Sequence, residues 1–199
     1  MCARVVKFFV VAATLLLTAC LPVTSRSPLG TTATQSTDYQ LAGMWEGRAN
    51  EGGDGAYLTF VRGEEGAMSA VLVGVTQTSD GRAPTFYGVY DTRTATLGHY
   101  AYINARILLE DGKPPEGATA KNIVPLLYQI RGNRLELYLL DEKATADAVH
   151  SGQIAGHVEQ GTYGDVEITA DPAALDRFFA SPAARALFTK PFLVLHRLK

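Results

Sequence analysis

A chain of 199 residues, 47% of them apolar and 19% charged, has the composition of an ordinary globular protein. Its 18 basic residues nearly balance 20 acidic ones, and no cluster of Lys or Arg forms the basic stripe that tracks a phosphate backbone, which excludes nucleic acid as a partner. The two cysteines are Cys2 and Cys20, so everything beyond Cys20 lacks a disulfide and a thiolate metal ligand.

The N-terminus opens with Arg4 and Lys7, followed by an uncharged apolar run from Phe8 to Ala19. That run is about 12 residues long, against the roughly 20 a stable bilayer-spanning helix needs. This is the layout of an export signal. Leu17-Thr18-Ala19-Cys20 resembles the lipobox of bacterial lipoproteins. The resemblance implies cleavage before Cys20, a diacylglycerol thioether on its sulfur, and fatty acylation (such as palmitate) of the new amino group. Two or more acyl chains give a stable membrane attachment where one gives a reversible one. Leu21 stands where Asp often signals inner-membrane retention in that class, so the resemblance implies the periplasmic face of the outer membrane. Loss of residues 1–19 leaves 16 basic against 20 acidic residues, a formal charge near −4. Residues 20–40, rich in Ser, Thr and Pro and without apolar periodicity, read as the lipidated Cys20 followed by a flexible tether. Residues 41–199 read as one domain.

That domain is dominated by short alternating segments separated by turn clusters. Strands are expected at Gly43 to Arg48, Tyr57 to Arg62, Ala67 to Thr76, Thr85 to Asp91 and, longest, Thr96 to Leu109. Ile123 to Arg131 and Arg134 to Asp141 flank Gly132-Asn133, a two-residue hairpin signal. Glu142 to Gly164 carries only a weak pattern. A short strand follows at Asp165 to Thr169, and then the period changes. Asp171-Pro172 is a helix start signal, Leu175, Phe178 and Phe179 share one helical face, and Ser181-Pro182 repeats the start. Phe192 to Leu198 completes the chain as a strand. The fold class expected is mainly β: an antiparallel, up-and-down, barrel-like sheet of eight or nine strands, with one C-terminal helix before the last strand. The helix would lay its Phe and Leu face on the outside of the barrel.

Gly43-Met44-Trp45 near the first strand resembles the Gly-x-Trp of lipocalins, and the expected barrel with a late helix is similar to that architecture. The resemblance implies that Trp45 packs under a basic residue at a closed barrel end. Arg197 could serve, although its place after the helix departs from the family order, and the family's second motif is not found.

Candidate chemical residues are few. His157 and Glu159 would share a strand face, with His150 in a loop, but no third ligand converges on them as zinc requires. His99 falls on the more apolar face of its strand, where a hydrogen-bonded core histidine is expected. Ser151 directly follows His150, a spacing that puts two side chains on opposite sides of a strand rather than in a nucleophile–base pair, and no Gly-x-Ser-x-Gly elbow is present. The stripe Tyr100, Tyr102, Asn104 and Arg106 is the most distinctive set. Facing inward it would line a ligand pocket, and facing outward it would make a docking face. The Leu, Ile and Ala of the opposite face favour outward. Together these readings lead to a non-enzymatic envelope lipoprotein without cofactor. Its barrel would bind a small apolar or amphipathic ligand or, alternatively, its outer sheet face would dock another envelope protein as a scaffold.

Overall fold

The computed structural model describes residues 22–30, 35–49, 55–63, 67–78, 81–116, 120–159 and 165–198. The expected export signal and Cys20 lie outside these residues. In chain order, two short strands, β1 (Thr24–Ser25) and β2 (Gln35–Ser36), precede a run of seven. These are β3 (Gly43–Ala49), β4 (Gly55–Arg62), β5 (Met68–Thr78), β6 (Gly81–Leu97), β7 (Tyr100–Glu110), β8 (Val124–Arg131) and β9 (Arg134–Leu139). Then come α1 (Glu142–His150), β10 (Gly156–Val158), β11 (Val166–Ile168), α2 (Pro172–Phe179), α3 (Pro182–Ala186) and β12 (Leu193–Arg197).

Each of β3 to β9 pairs antiparallel with the next. β12 lies between β9 and β3, and β6 to β7 completes the ring. The result is a closed, eight-stranded, antiparallel up-and-down barrel of the expected class. Closure gives every one of these strands two neighbours and leaves no long open edge. Alternation along the strands sends Leu58 and Phe60, Met68 and Ala70, Ile103, Ala105 and Ile107, Leu135 and Leu137, and Leu193 and Leu195 into one interior cluster with Trp45. A second cluster covers the outer wall. There Tyr102, Leu127 and Tyr138 from the barrel meet Leu175 and Phe179 of α2, Phe188, and Val23 and Leu29 of the N-terminal segment. The expected external seat of the helix is therefore observed. Asp171 caps α2 by accepting from the Ala173 and Ala174 N–H groups at 3.0 Å, with Pro172 at the first turn.

Five expectations need correction. The strand expected from Thr96 to Leu109 is two strands, because Gly98 (φ 60°) turns the chain at Gly98-His99. A Cβ at Gly98 would stand 2.9 Å from the Ala180 carbonyl oxygen, so only glycine fits the turn under α2. His99 is consequently exposed in that turn and not a core residue. Glu142 to His150, part of the segment read as only weakly patterned, is a helix capped by Asp141, with Thr145 and Ala148 as its buried face. Ser151 ends that helix, its hydroxyl donating to the Asp147 carbonyl at 2.8 Å, so its neighbourhood to His150 is a helix terminus and not a strand.

The fifth correction concerns the tether. Val23, Thr24, Ser25 and Leu29 are buried, and β1 runs parallel to β11 in a small three-stranded sheet with β10. Ser25 and Ile123 exchange backbone hydrogen bonds at 2.8 and 2.9 Å. The Leu29 N–H donates to Asn104 Oδ1 at 2.7 Å, and Asn104 Nδ2 donates back to the Leu29 carbonyl at 2.9 Å. A polar, aperiodic stretch thus stays packed because side chains of the barrel satisfy its backbone.

Candidate functional site: an apolar cavity in a barrel closed at one end

One end of the barrel is sealed by the chain that enters it. Residues 38–42 form a tight turn, with the Leu41 and Ala42 N–H groups donating to the Asp38 and Tyr39 carbonyls. Trp45, fully buried, donates from Nε1 to the Leu41 carbonyl at 2.8 Å. Over its ring lies the Arg197 guanidinium, 4.1 Å from the centroid, a cation–π contact across directly paired positions of β3 and β12. The same guanidinium donates to the Ala42 carbonyl at 2.6 Å and to the Gln40 carbonyl. Gly43 explains its own presence, since it holds φ 119° and a Cβ there would stand 2.9 Å from Arg197 Nη1. Tyr128 completes the plug by donating to Asp38 Oδ2 at 2.9 Å, and the Asp38 N–H donates to Thr94 Oγ1 at 3.0 Å. Burial, with the Asp38 carboxylate beside it, pushes the Tyr128 phenol up from its ordinary value.

Above this plug the interior is not filled. A cavity of about 250 Å³ runs between the strands, walled by Leu58, Phe60, Leu72, Ile103, Ile107 and Leu137. Its space comes from small side chains at inward positions: Ala70 on β5 and Ala105 on β7 line it, and on β6 the buried Gly88 faces Leu72 and Glu110. Pro22, Phe86, Glu110 and Phe192 mark its open end. Polar groups are sparse there. The Tyr90 ring lies along its own strand over Gly88, where a Cβ would come 2.3 Å from the Tyr90 hydroxyl oxygen. That places the hydroxyl at the level of Glu110, the residue paired with Gly88. Among the described residues the Tyr90 hydroxyl makes no hydrogen bond, and none of their sealed side-chain polar atoms lacks a partner. Burial first, then the charges of Glu110 and Asp111, push its pKa up to about 12, so it is a neutral donor at neutral pH.

The stripe singled out in the sequence faces outward. Tyr100 is half-buried against the outer cluster. Tyr102 is wholly buried, donating from its hydroxyl to the Phe179 carbonyl at 2.8 Å, with Phe179 edge-on to its ring at 5.6 Å. Burial pushes its phenol up as well. Arg106 is exposed and paired with Asp91 at 2.8 Å. These residues are therefore neither a pocket lining nor one open docking face, because α2 covers Tyr102 and the N-terminal segment covers Asn104. Neither Tyr90 nor Glu110 is marked as a cavity residue by the sequence, where Glu110-Asp111 reads as a solvated carboxylate pair at a strand end; the inward alternation Gly88, Tyr90, Thr92 along β6 is the signal that marks Tyr90. Among the described residues no group of three His, Cys, Asp or Glu side chains could hold a metal ion. His150 and His157 are both exposed, on α1 and β10.

The class defined by this geometry is an antiparallel eight-stranded barrel sealed at one end around a Trp–Arg pair, with an apolar cavity opening at the other. No family model matches the chain, and neither a curated protein nor a solved structure matches it.

Proposed function

We propose that this chain is a lipoprotein of the bacterial envelope, anchored through acylated Cys20 at the periplasmic face of the outer membrane. In this reading its lipocalin-like barrel binds a small apolar or amphipathic ligand without catalysing a reaction. The observation that carries the ligand reading is the cavity of about 250 Å³ above the sealed end. Protein interiors rarely hold voids larger than a water molecule, and this one lies just under the roughly 300 Å³ at which ligand pockets begin, so the space suits a small ring system or part of one acyl chain. Apolar walls supply affinity, and the Tyr90 hydroxyl at the mouth supplies the single oriented polar contact typical of such pockets. The lipobox-like Leu17-Thr18-Ala19-Cys20 supports the anchor.

The test is native mass spectrometry of residues 21–199 purified from an envelope extract, keeping the packed N-terminal segment. The expected result is a co-purifying small molecule that is lost from Ala105→Phe, a variant that fills the cavity. A protein that is empty, and stays empty when offered lipids, would overturn ligand carriage. A stoichiometric protein in place of a small molecule would point to the scaffold role instead. For the anchor, Cys20→Ser is expected to abolish incorporation of radioactive fatty acid; undiminished labelling would overturn that assignment.

A further inference from the structure

The cavity mouth and the start of the folded chain coincide. Pro22 lines the cavity, and Val23, Thr24 and Ser25 directly after it are buried. β1 is paired to β11 and bonded to Ile123, as described above. Asn122 Nδ2 donates to Thr24 Oγ1 at 3.2 Å and to Glu167 Oε1 at 2.9 Å, and Arg26 pairs with Glu167 at 2.7 Å. One residue, Leu21, separates Pro22 from Cys20. Covalent geometry therefore keeps the Cα of Cys20 within about 8 Å of that of Pro22. A lipid anchor on Cys20 would sit beside the open end of the barrel and not at the end of a long leash. Of the seven large apolar side chains exposed among the described residues, Phe192 just before β12, Leu108 near the end of β7 and Tyr87 beside the β7–β8 loop lie toward this end. Tyr39, Met44, Val61 and Leu198 lie toward the sealed end, so it is the position of Cys20 and not apolar exposure that marks the mouth.

From this placement we infer that the barrel mouth rests on the lipid surface and that the ligand is a single ester-linked acyl chain of a bilayer lipid, drawn in without crossing water. The inference rests on the acylation of Cys20 and on ligand carriage as proposed above. The polar groups at the mouth select the head. The Tyr90 hydroxyl can donate to an ester carbonyl, whereas the Glu110 carboxylate in the cavity lining repels the carboxylate of a free fatty acid. A chain leaving a bilayer for a distant pocket must expose its methylenes to water on the way. A mouth held at the surface removes that step.

The experiment uses the full lipidated protein in vesicles of phosphatidylethanolamine and phosphatidylglycerol containing a phosphatidylethanolamine with a diazirine on one acyl chain. After irradiation, cross-links are mapped by mass spectrometry. Cross-links are expected on inward residues such as Leu72 and Ile107. An insertion of about 20 Gly and Ser residues between Leu21 and Pro22, which leaves the folded part intact, should lower them about fivefold or more, as the effective concentration of the mouth at the surface falls. A diazirine fatty acid in the same vesicles should label these residues less than the phospholipid does. Equal labelling with the insertion would overturn the held mouth, and equal labelling by the free acid would overturn the head-group selection. Interior labelling that occurs only when the photo-group is on the chains of Cys20 itself would make the anchor the occupant and overturn the proposal. If vesicles give no interior labelling but residues 21–199 take up a monomeric short-chain phosphatidylethanolamine, the route fails while carriage stands. If neither occurs, carriage itself fails.

Discussion

The two ends of this barrel are built from the same eight strands with the same alternation, yet they are opposites in packing. At the closed end large side chains fill the interior, and Trp45, Arg197, Tyr128 and Asp38 are each bonded to a named partner. At the open end small residues face inward, a cavity of about 250 Å³ remains, and the Tyr90 hydroxyl is left without a protein partner among the described residues. Filled, fully bonded space stabilises a fold; apolar empty space costs stability. The difference therefore separates the part of the molecule that holds it together from the part that is free to bind, and mutations at the two ends should respond differently.

The largest effect is expected at the plug. Trp45→Ala removes the only Trp, leaves a hole in a wholly buried site, and strands the guanidinium above it. It should cost about 3–5 kcal/mol, read as a lowered urea midpoint by far-UV circular dichroism. A loss below about 1 kcal/mol would erase the distinction between the ends. Next comes Arg197→Met, which keeps an apolar stem over Trp45 but removes the cation and its two bonds to the Gln40 and Ala42 carbonyls. About 2–3 kcal/mol is expected from the lost cation–π contact and the unpaired carbonyls. If Arg197→Met unfolds no more readily than the parent protein, the guanidinium is ornament to the plug and not part of it.

How much of this was legible in the sequence follows the same division. The strands of the closed barrel could be read because alternation is local, and so could the Gly132-Asn133 hairpin and the proline-initiated helices. The likeness of Gly43-Met44-Trp45 to the lipocalin motif implied a basic partner for Trp45, and Arg197 was the residue that resemblance suggested. The cavity could not be read, because it depends on the sum of side-chain volumes around a closed ring. Ala70, Gly88 and Ala105 come from three strands and mean nothing singly. The packing of residues 22–30 was hidden for a related reason: its stability comes from Asn104, Asn122 and Glu167, all distant in sequence. α1 escaped because its buried face is only Thr145 and Ala148, too slight for an apolar period, although Asp141 stood in place as its cap.

A smaller effect should appear on the outer wall without touching either end of the interior. Glu136 on β9 accepts from the Tyr138 hydroxyl at 2.8 Å and pairs with Arg134 at 2.6 Å. The Tyr138 bond, against the opposing effect of burial and with help from Arg134, holds its pKa below the ordinary carboxylate value. A carboxylate whose pKa is lowered by folding contributes stability above its unfolded pKa, and that contribution disappears as pH falls through the folded value. The wild-type protein should therefore lose stability from about pH 5 downward, and Glu136→Gln should lose about 1–2 kcal/mol less over the same range. Parallel pH curves for the two proteins would remove Glu136 from the account.

The least disruptive change tests the open end most directly. Tyr90→Phe keeps the ring over Gly88 and removes only the hydroxyl, which has no protein partner among the described residues to leave unpaired. Its stability should stay within about 0.5 kcal/mol of the parent. Binding should not: if the phenol donates to the ligand, affinity for a short-chain phosphatidylethanolamine should fall about five- to tenfold, the worth of one hydrogen bond in an apolar site. Titration of both proteins with the same lipid, alongside their urea curves, separates the two quantities. Destabilisation above about 1 kcal/mol with unchanged affinity would make Tyr90 a packing residue like those of the plug, and the contrast between the ends would then rest on cavity volume alone.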